Sequence, residues 1–448
     1  MLNLGKNAMG ITNKEFKKRR KELMSQMEPN SIGLLSSAPE RLRNNDAEYQ
    51  YRQSSDFYYL TGFSEPQAIL ALVPGRQQGE VILFCREKNT ERELWTGYIL
   101  GPDAAIDSLQ IDDAYPIDDV DEIIVGLIEG KDRIYYSMGR DDHFDGKVMA
   151  WVKNIRDNAK VGPPPPSEFQ VLDHLLHELR LIKSPAEIKL IEKAAKISAE
   201  GHKAAMTRCV PGLKEYELEA ELQYAFIRNG SRSPAYQSIV GAGDNACILH
   251  YNLNCAEIKK GDLVLIDAGC EYDCYASDIT RTFPASGKFT EEQRLIYEIV
   301  LLAQNEAIKT VQPGNTWNAP HDISVKVIVK GLLKLGLLKG SLSQQLKSEE
   351  YKRYYMHRVG HWLGMDVHDV GDYKIDGHWR LLEPGMVTTI EPGIYISPSD
   401  TSVPKKWRGI GIRIEDDVLV TKKGQKVLSA GIPRTIEEIE AQMSKQVA

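Results

Sequence analysis

The residues best suited to chemistry are acids that end apolar runs. Leu263-Val264-Leu265-Ile266 closes in Asp267, just ahead of Ala268-Gly269. Farther on, Tyr275 to Phe283 places Asp278, Thr280 and Thr282 on one face of an alternating strand. A carboxylate at the end of an apolar strand is costly to bury unless a cation or a hydrogen-bond donor meets it. A helix cap or a solvated strand position accounts for either acid alone. The rest of the chain argues for a shared purpose.

Gly385-Met386-Val387-Thr388-Thr389-Ile390-Glu391-Pro392-Gly393 repeats the pattern of Gly261 to Gly269: a glycine, five residues, an acid, one residue, a glycine. A further strand, Gly411 to Val420, contributes Glu415 much as the earlier one contributes Asp278. Two similar halves, each giving acids from two strands, imply an internal duplication closed around one site. Between the halves, three of the ten histidines fall within Met356–Gly371: His357, His361 and His368. Their spacing is not that of a His-Glu-x-x-His zinc helix. Any one of them is explicable as a structural histidine. Set beside four acids, one imidazole completes a hard oxygen-rich ligand set. Such a set suits manganese, cobalt, magnesium or zinc rather than a thiolate-bound ion. Five ligands exceed what one ion needs, and two ions roughly 3.5–4 Å apart, sharing carboxylates and a hydroxide, use them all.

In the order Asp267, Asp278, His361, Glu391, Glu415, these residues lie in Leu-Ile-Asp-Ala-Gly, Ser-Asp-Ile-Thr-Arg-Thr-Phe, His-Trp-Leu-Gly, Glu-Pro-Gly and Gly-Ile-Arg-Ile-Glu-Asp. That constellation resembles the pita-bread metallopeptidases, the group of methionine aminopeptidase, prolidase, creatinase and aminopeptidase P. The likeness is strongest to the bacterial aminopeptidase P branch and extends over nearly the whole chain. It includes Asp46–Tyr49 and Tyr51–Phe63, which are similar to that branch's amino domain. The resemblance implies an α/β two-domain protein. A creatinase-like α/β amino domain over residues 1–175 would serve oligomerisation and access to the active site. A pita-bread α+β catalytic domain with internal pseudo-twofold duplication would cover residues 176–448. It also implies two divalent ions, manganese first, on the five ligands, and Glu391 as the group that takes the proton from the attacking water. His250 and His368 match the non-ligand active-site histidines, suited to an oxyanion or a proton. Arg413, two residues before Glu415 on the same strand face, is expected to pair with that carboxylate. His357 and Tyr395 are supporting candidates. Trp95 and Asp46 match positions that approach a neighbouring subunit's active site in a homotetramer, although ordinary packing and a loop cap account for them equally well.

The implied reaction is hydrolysis of the N-terminal Xaa-Pro bond in peptides with proline at the second position. Prolidase, restricted to dipeptides, is the alternative, and no motif decides between them. A non-catalytic binding protein on the same domain would have lost ligands, and none is lost.

The elements that must position these groups are partly legible. At 448 residues the chain is long for one core. Residues 31–37, 67–74 and 79–85 read as strands, with Gly75–Gly79 as a hairpin turn. Val161–Ser167, with four consecutive prolines, predicts an extended stiff connector. After a helix-like Val171–Leu181 stretch, Ser184-Pro185-Ala186-Glu187 forms a capping box that opens a helix with an apolar stripe at Ile188, Ile191 and Ala195. The catalytic domain is placed from about there onward.

Net charge −7 and the absence of a dense basic tract argue against a nucleic-acid partner. The cluster Lys17-Lys18-Arg19-Arg20 reads as a solvated helix face. No apolar run reaches membrane-spanning length, and no signal-peptide core is evident. Six cysteines in so large a chain form no disulfide framework, so the expected compartment is the cytoplasm.

Overall fold

A computed structural model describes residues 10–160 and 162–445. The chain divides between Arg180 and Leu181 into two compact units. In the amino unit a six-stranded mixed sheet forms among the described residues. Its order is Asp113–Pro116, Val81–Cys85, Ile69–Leu72, Ser31–Ser36, Arg133–Tyr136, Glu168–Val171. Ile69–Leu72 pairs antiparallel with both Ser31–Ser36 and Val81–Cys85, while the two outer pairings are parallel. The three strands expected at the start of the chain are therefore present. Ile32, Leu34, Ile82 and Phe84 bury one face against Ile124, Val148 and Trp151 of the covering helices.

Two expectations for this unit change. Arg19 and Arg20 are not on a solvated face: they are 5% and 1% exposed. Arg20 donates to the carbonyls of Leu60 (2.8 Å), Leu109 (3.1 Å) and Gln110 (2.7 Å). One guanidinium thus satisfies carbonyls from two helix ends, a task that the charge run did not reveal. Lys17 and Lys18 do face solvent. The proline segment is also not a link between units. Beyond Pro163–Pro166 the chain adds the edge strand Glu168–Val171 to the amino sheet, so the prolines lead into an edge position, where a missing N–H costs little. Val161 lies outside the described residues.

The second unit opens on helix Pro185–Arg208, capped reciprocally by Ser184 and Glu187 with proline in its first turn. Its buried stripe centres on Leu190, Ile191, Ala194 and Ala195, with Ile188 at the margin. Among the described residues this unit holds three three-stranded antiparallel sheets, two of which carry the site acids at their strand ends. In one, Leu263–Asp267 lies between Ile239–Ala242 and Thr280–Pro284. In the other, Asp416–Thr421 lies between Val387–Ile390 and Gly424–Val427. The short ladder Gly393–Ile396 with Ile410–Arg413 joins them, since the Thr282 hydroxyl donates to the Arg413 carbonyl (2.9 Å) and Glu415 N–H to the Thr280 carbonyl (3.1 Å). Helices Glu291–Thr310 and Ala319–Lys334 contribute Ile296, Val300, Ile328 and Val329 to the shared core.

Candidate metal centre

Two close backbone approaches bring the acids together. A Cβ at Gly269 would stand 1.8 Å from the Ser277 carbonyl oxygen. Gly269 follows Asp267 by two residues and Ser277 precedes Asp278, so only glycine lets the two carboxylates meet at this separation. In the other half a Cβ at Gly360 would stand 1.9 Å from the Thr389 carbonyl oxygen, which draws His361 towards Glu391. His361 is held there along the strand: Thr389 N–H donates to its carbonyl (2.9 Å), and Glu391 N–H donates to the Val359 carbonyl (2.7 Å). The Cys270–Tyr272 and Tyr275–Ala276 hairpin turns through Asp273 and Cys274, both at positive φ (50° and 65°), and returns Asp278 to the strand ends.

Asp278, His361 and Glu415 present ligand atoms within 4.8 Å of one another. His361 Nε2 lies 3.3 Å from Asp278 Oδ2 and 3.7 Å from Glu391 Oε1. His361 Nδ1 is 2.9 Å from the Trp362 carbonyl, so Nδ1 carries a proton and Nε2 is the nitrogen turned to the acids. Asp267 joins through Tyr236, whose hydroxyl bridges Asp267 Oδ1 (2.6 Å) and Asp278 Oδ1. The Thr280 hydroxyl donates to Glu415 Oε2 at 2.6 Å. Alternation along the strand holds: Thr280 and Thr282 give their hydroxyls to Glu415 and the Arg413 carbonyl, while the intervening Arg281 points to the buried Asp416 (2.7 Å).

Arg413 corrects one expectation. Its Nη2 pairs with Asp267 Oδ2 at 2.7 Å rather than with Glu415. The regular strand ends at Arg413, and the irregular Ile414–Glu415 step breaks the pleat before Asp416–Thr421, so the two side chains diverge. Its Nη1 donates to the Tyr395 hydroxyl (2.9 Å), and that hydroxyl lies 2.9 Å from His357 Nε2. His357 Nδ1 is 2.7 Å from the Arg358 carbonyl, which assigns the proton to Nδ1 and leaves Nε2 to accept from Tyr395. His357 Nδ1 also stands 3.6 Å from Glu391 Oε2. His250 and His368 line the same cleft, and the His368 ring meets His361 edge to face at 4.2 Å. Trp95 and Asp46 belong to the amino unit, where both are exposed, Trp95 by 89%.

The electrostatics define the donor set. Burial pushes the Glu415 carboxyl well above its usual range, aided by Asp278 and Glu391. Burial likewise raises Glu391, to about 7, against the pull of His361 and Arg413. Asp267 is raised by burial, with Arg413 opposing. Burial raises Asp278 most strongly, but His361, Tyr236 and Arg413 together bring it below its ordinary value. His361 is conversely raised to about 9, burial being overcome by Asp278, Glu391 and the Trp362 carbonyl together. The four carboxylates have two direct cationic partners, Arg413 at Asp267 and His361 at Asp278, while burial holds the neighbouring His357 neutral. Hard oxygen donors, one correctly oriented imidazole and a shortage of positive charge fit divalent cations.

Sequence reasoning passed over Tyr236, which has no motif to mark it and is brought in by the chain leading to Ile239–Ala242. It also passed over Asp417, buried with an Oδ1 that accepts the Asp278 N–H (3.2 Å), and the buried Lys183–Asp369 ion pair (2.8 Å), which anchors the residue next to His368. A second acidic cluster, Asp56, Asp173 and His177, lies in the amino unit. Asp56 there is already neutralised by Arg180 (2.7 Å) and Arg140 (2.8 Å) and needs no further cation.

Family comparisons agree with this geometry. The sequence model of metallopeptidase family M24 matches residues 189–422, which contain all five clustered groups. The chain belongs to metallopeptidase family M24. Residues 16–135 match the aminopeptidase P N-terminal domain, so this M24 enzyme has the two-domain α/β, pita-bread architecture of aminopeptidase P. It is 44% identical to the Xaa-Pro aminopeptidase of Escherichia coli, over 97% of this chain and 98% of that one. A solved aminopeptidase from Pseudomonas aeruginosa superposes with TM-score 0.96 at 58% identity, covering 97% and 99% of the two chains. The E. coli aminopeptidase P with the inhibitor Pro-Leu gives 0.94 at 44% identity, covering 97% and 99%.

Proposed function

We propose that this M24 metallo-hydrolase removes the N-terminal residue from peptides with proline in second position, using two divalent ions, Mn²⁺ foremost, held by Asp267, Asp278, His361, Glu391 and Glu415. The observation that carries the reading is the convergence of Asp278, Glu391 and Glu415 on the inward-facing Nε2 of His361, with Asp267 joined to Asp278 through the Tyr236 hydroxyl. When bound, the ions supply Lewis acidity towards the scissile carbonyl and the attacking water.

The chain's own groups supply the rest. Glu391 takes the proton of the attacking water. His250 and His368, on the cleft wall, donate to the oxygen on which negative charge develops. A prolyl nitrogen leaves as a secondary amine and must be protonated. The Arg413–Tyr395–His357 chain holds the hydrogen-bonding groups beside Glu391 in a fixed direction for that transfer. Tyr236 keeps Asp267 and Asp278 oriented towards the same point.

We further assign a homotetramer in which Trp95 and Asp46 approach a neighbouring subunit's site, a reading supported by the exposure of Leu94 (86%) beside Trp95 (89%). Six free cysteines among the described residues favour the reducing cytoplasm. No described helix is long and apolar enough to cross a membrane.

Prolidase activity is the competing assignment, and the aminopeptidase P amino domain favours the longer-peptide reading. Steady-state assays of Xaa-Pro-Xaa tripeptides against Xaa-Pro dipeptides test it. Tripeptides cleaved at the Xaa-Pro bond support the proposal, and cleavage confined to dipeptides would replace it with prolidase.

A further inference from the structure

Next to the metal cleft lies a second cavity of about 490 Å³, and the two share His357 and Arg358 on their walls. His357 stands 3.6 Å from Glu391, so the shared wall begins beside the reacting centre. Arg358 is exposed, yet its guanidinium is fixed: it lies 5.2 Å from the Trp317 ring centre and 4.8 Å from that of Trp379, and it donates to Asn318 Oδ1. The two indoles are themselves in contact at 5.6 Å, and Trp317 packs on Tyr373 at 4.2 Å, which roots the platform in the core through Trp362. Of the other charges on the cavity wall, Lys326 is an exposed ammonium without an aromatic platform among the described residues, whereas the rest are engaged. Lys352 pairs with Glu349 at 2.5 Å, and Asp322 accepts from Asn318 at 2.8 Å. Arg358 pairs with no carboxylate among the described residues.

A planar guanidinium held by aromatic faces, with Nη2 giving one N–H to Asn318, keeps its remaining N–H groups pre-oriented, and such a group takes a carboxylate in bidentate fashion. We infer that Arg358 binds the carboxylate of a peptide substrate, that of its C-terminus, once one to three residues follow the proline. An extended peptide advances about 3.3–3.6 Å per residue, which carries its end from the cleft into the adjoining cavity over that length. The inference rests on the aminopeptidase reading above and adds to it a preference for short free-acid peptides.

The test compares kcat/KM for Xaa-Pro-(Xaa)n peptides, n from one to six, as free acids and as C-terminal amides, in the wild-type enzyme, Arg358→Gln and Arg358→Lys. The wild type should favour the acid roughly 10-fold at one to three residues beyond proline, mainly through KM, in line with one charge-assisted contact at a partly exposed site. Arg358→Gln should bring the acid-to-amide ratio close to one. Arg358→Lys should keep a reduced, more salt-sensitive preference, because it retains charge without the fork. Lys352→Gln, whose ammonium is already paired, should keep the wild-type ratio. Amidated peptides bearing Glu at the same position distinguish a side-chain carboxylate from the terminal one. An identical ratio in wild type and Arg358→Gln, or a wild-type ratio near one at every length, would overturn the inference. Cleavage of the amides by wild type reports separately on the aminopeptidase reading. If Arg358→Gln fails to fold, loss of the wild-type preference at high salt together with its weakening in Arg358→Lys decides the question; an acid preference unmoved by both overturns it.

Discussion

Replacing Gly360 with alanine should nearly abolish turnover without unfolding the protein. The added Cβ would lie 1.9 Å from the Thr389 carbonyl oxygen and 2.8 Å from its carbon, whereas real Cβ contacts essentially never fall below 3.0 Å. The His361 segment and the Glu391 strand must therefore separate by at least about 1.1 Å, and both contacting atoms belong to backbone, which cannot rotate away. Gly360 has no positive φ, so the penalty is steric and falls on the spacing between His361 and Glu391. A misplacement of about 1 Å costs on the order of 10²-fold in rate. Overpacking of this kind destabilises by about 1–3 kcal/mol, which a domain of this size tolerates. Turnover of an Xaa-Pro-Xaa peptide, bound metal by elemental analysis and far-ultraviolet circular dichroism together test this. The expected result is at least a 100-fold loss in kcat/KM with a native spectrum. A Gly360→Ala enzyme within threefold of wild type would refute the claim that this close approach sets the site.

Four further outcomes follow from the same geometry. Tyr236→Phe removes the hydroxyl shared by Asp267 and Asp278; metal affinity should fall about 10–100-fold, and an unchanged dissociation constant in a Mn²⁺ titration would contradict the bridging role. Glu391→Ala should lose one ion and nearly all turnover while keeping its fold, and near-normal rate with full metal content would remove Glu391 from the assignment. His202, fully buried in helix Pro185–Arg208 with Nε2 donating to the Ala268 carbonyl, is lowered by burial from 6.5 to about 4. It stays neutral in the fold while the unfolded chain protonates, so about 3 kcal/mol of stability, intact above pH 6.5, is lost as pH falls to 4. Urea midpoints for His202→Gln should show a shallower pH slope over that window, and an unaltered slope would reject it. Because the Xaa-Pro bond isomerises over tens to hundreds of seconds, and a site fixing both the amine and the ring takes one isomer, trans, hydrolysis at high enzyme concentration should be biphasic. A prolyl isomerase should accelerate only the slow phase, and a single phase indifferent to isomerase would show that both isomers fit.

What the sequence made legible was local. Acids ending apolar runs before glycine marked Asp267 and Glu391, because burying a charge at a strand end demands compensation. Period-two alternation put Thr280 and Thr282 on one face and Arg281 on the other. The capping box at Ser184 fixed a helix start to the residue. Less visible were features created by chain segments that meet only in three dimensions. Tyr236 joins Asp267 and Asp278 across some 30–40 residues of sequence. Arg413 turned to Asp267 because the strand ends there, and spacing along a chain does not encode such a break. Arg20 reads as one more surface cation until the carbonyls of Leu60 and Leu109 surround it. Proline content marked Pro163–Pro166 as irregular but not which unit it serves.

The central claim is that five side chains hold two catalytic divalent ions for Xaa-Pro hydrolysis. Stripping the enzyme exhaustively with chelator and restoring Mn²⁺ stepwise, while following cleavage of an Xaa-Pro-Xaa peptide, tests it most directly. No turnover without metal and full recovery at two equivalents per chain is the expected result. Full activity in the metal-free enzyme would contradict the account.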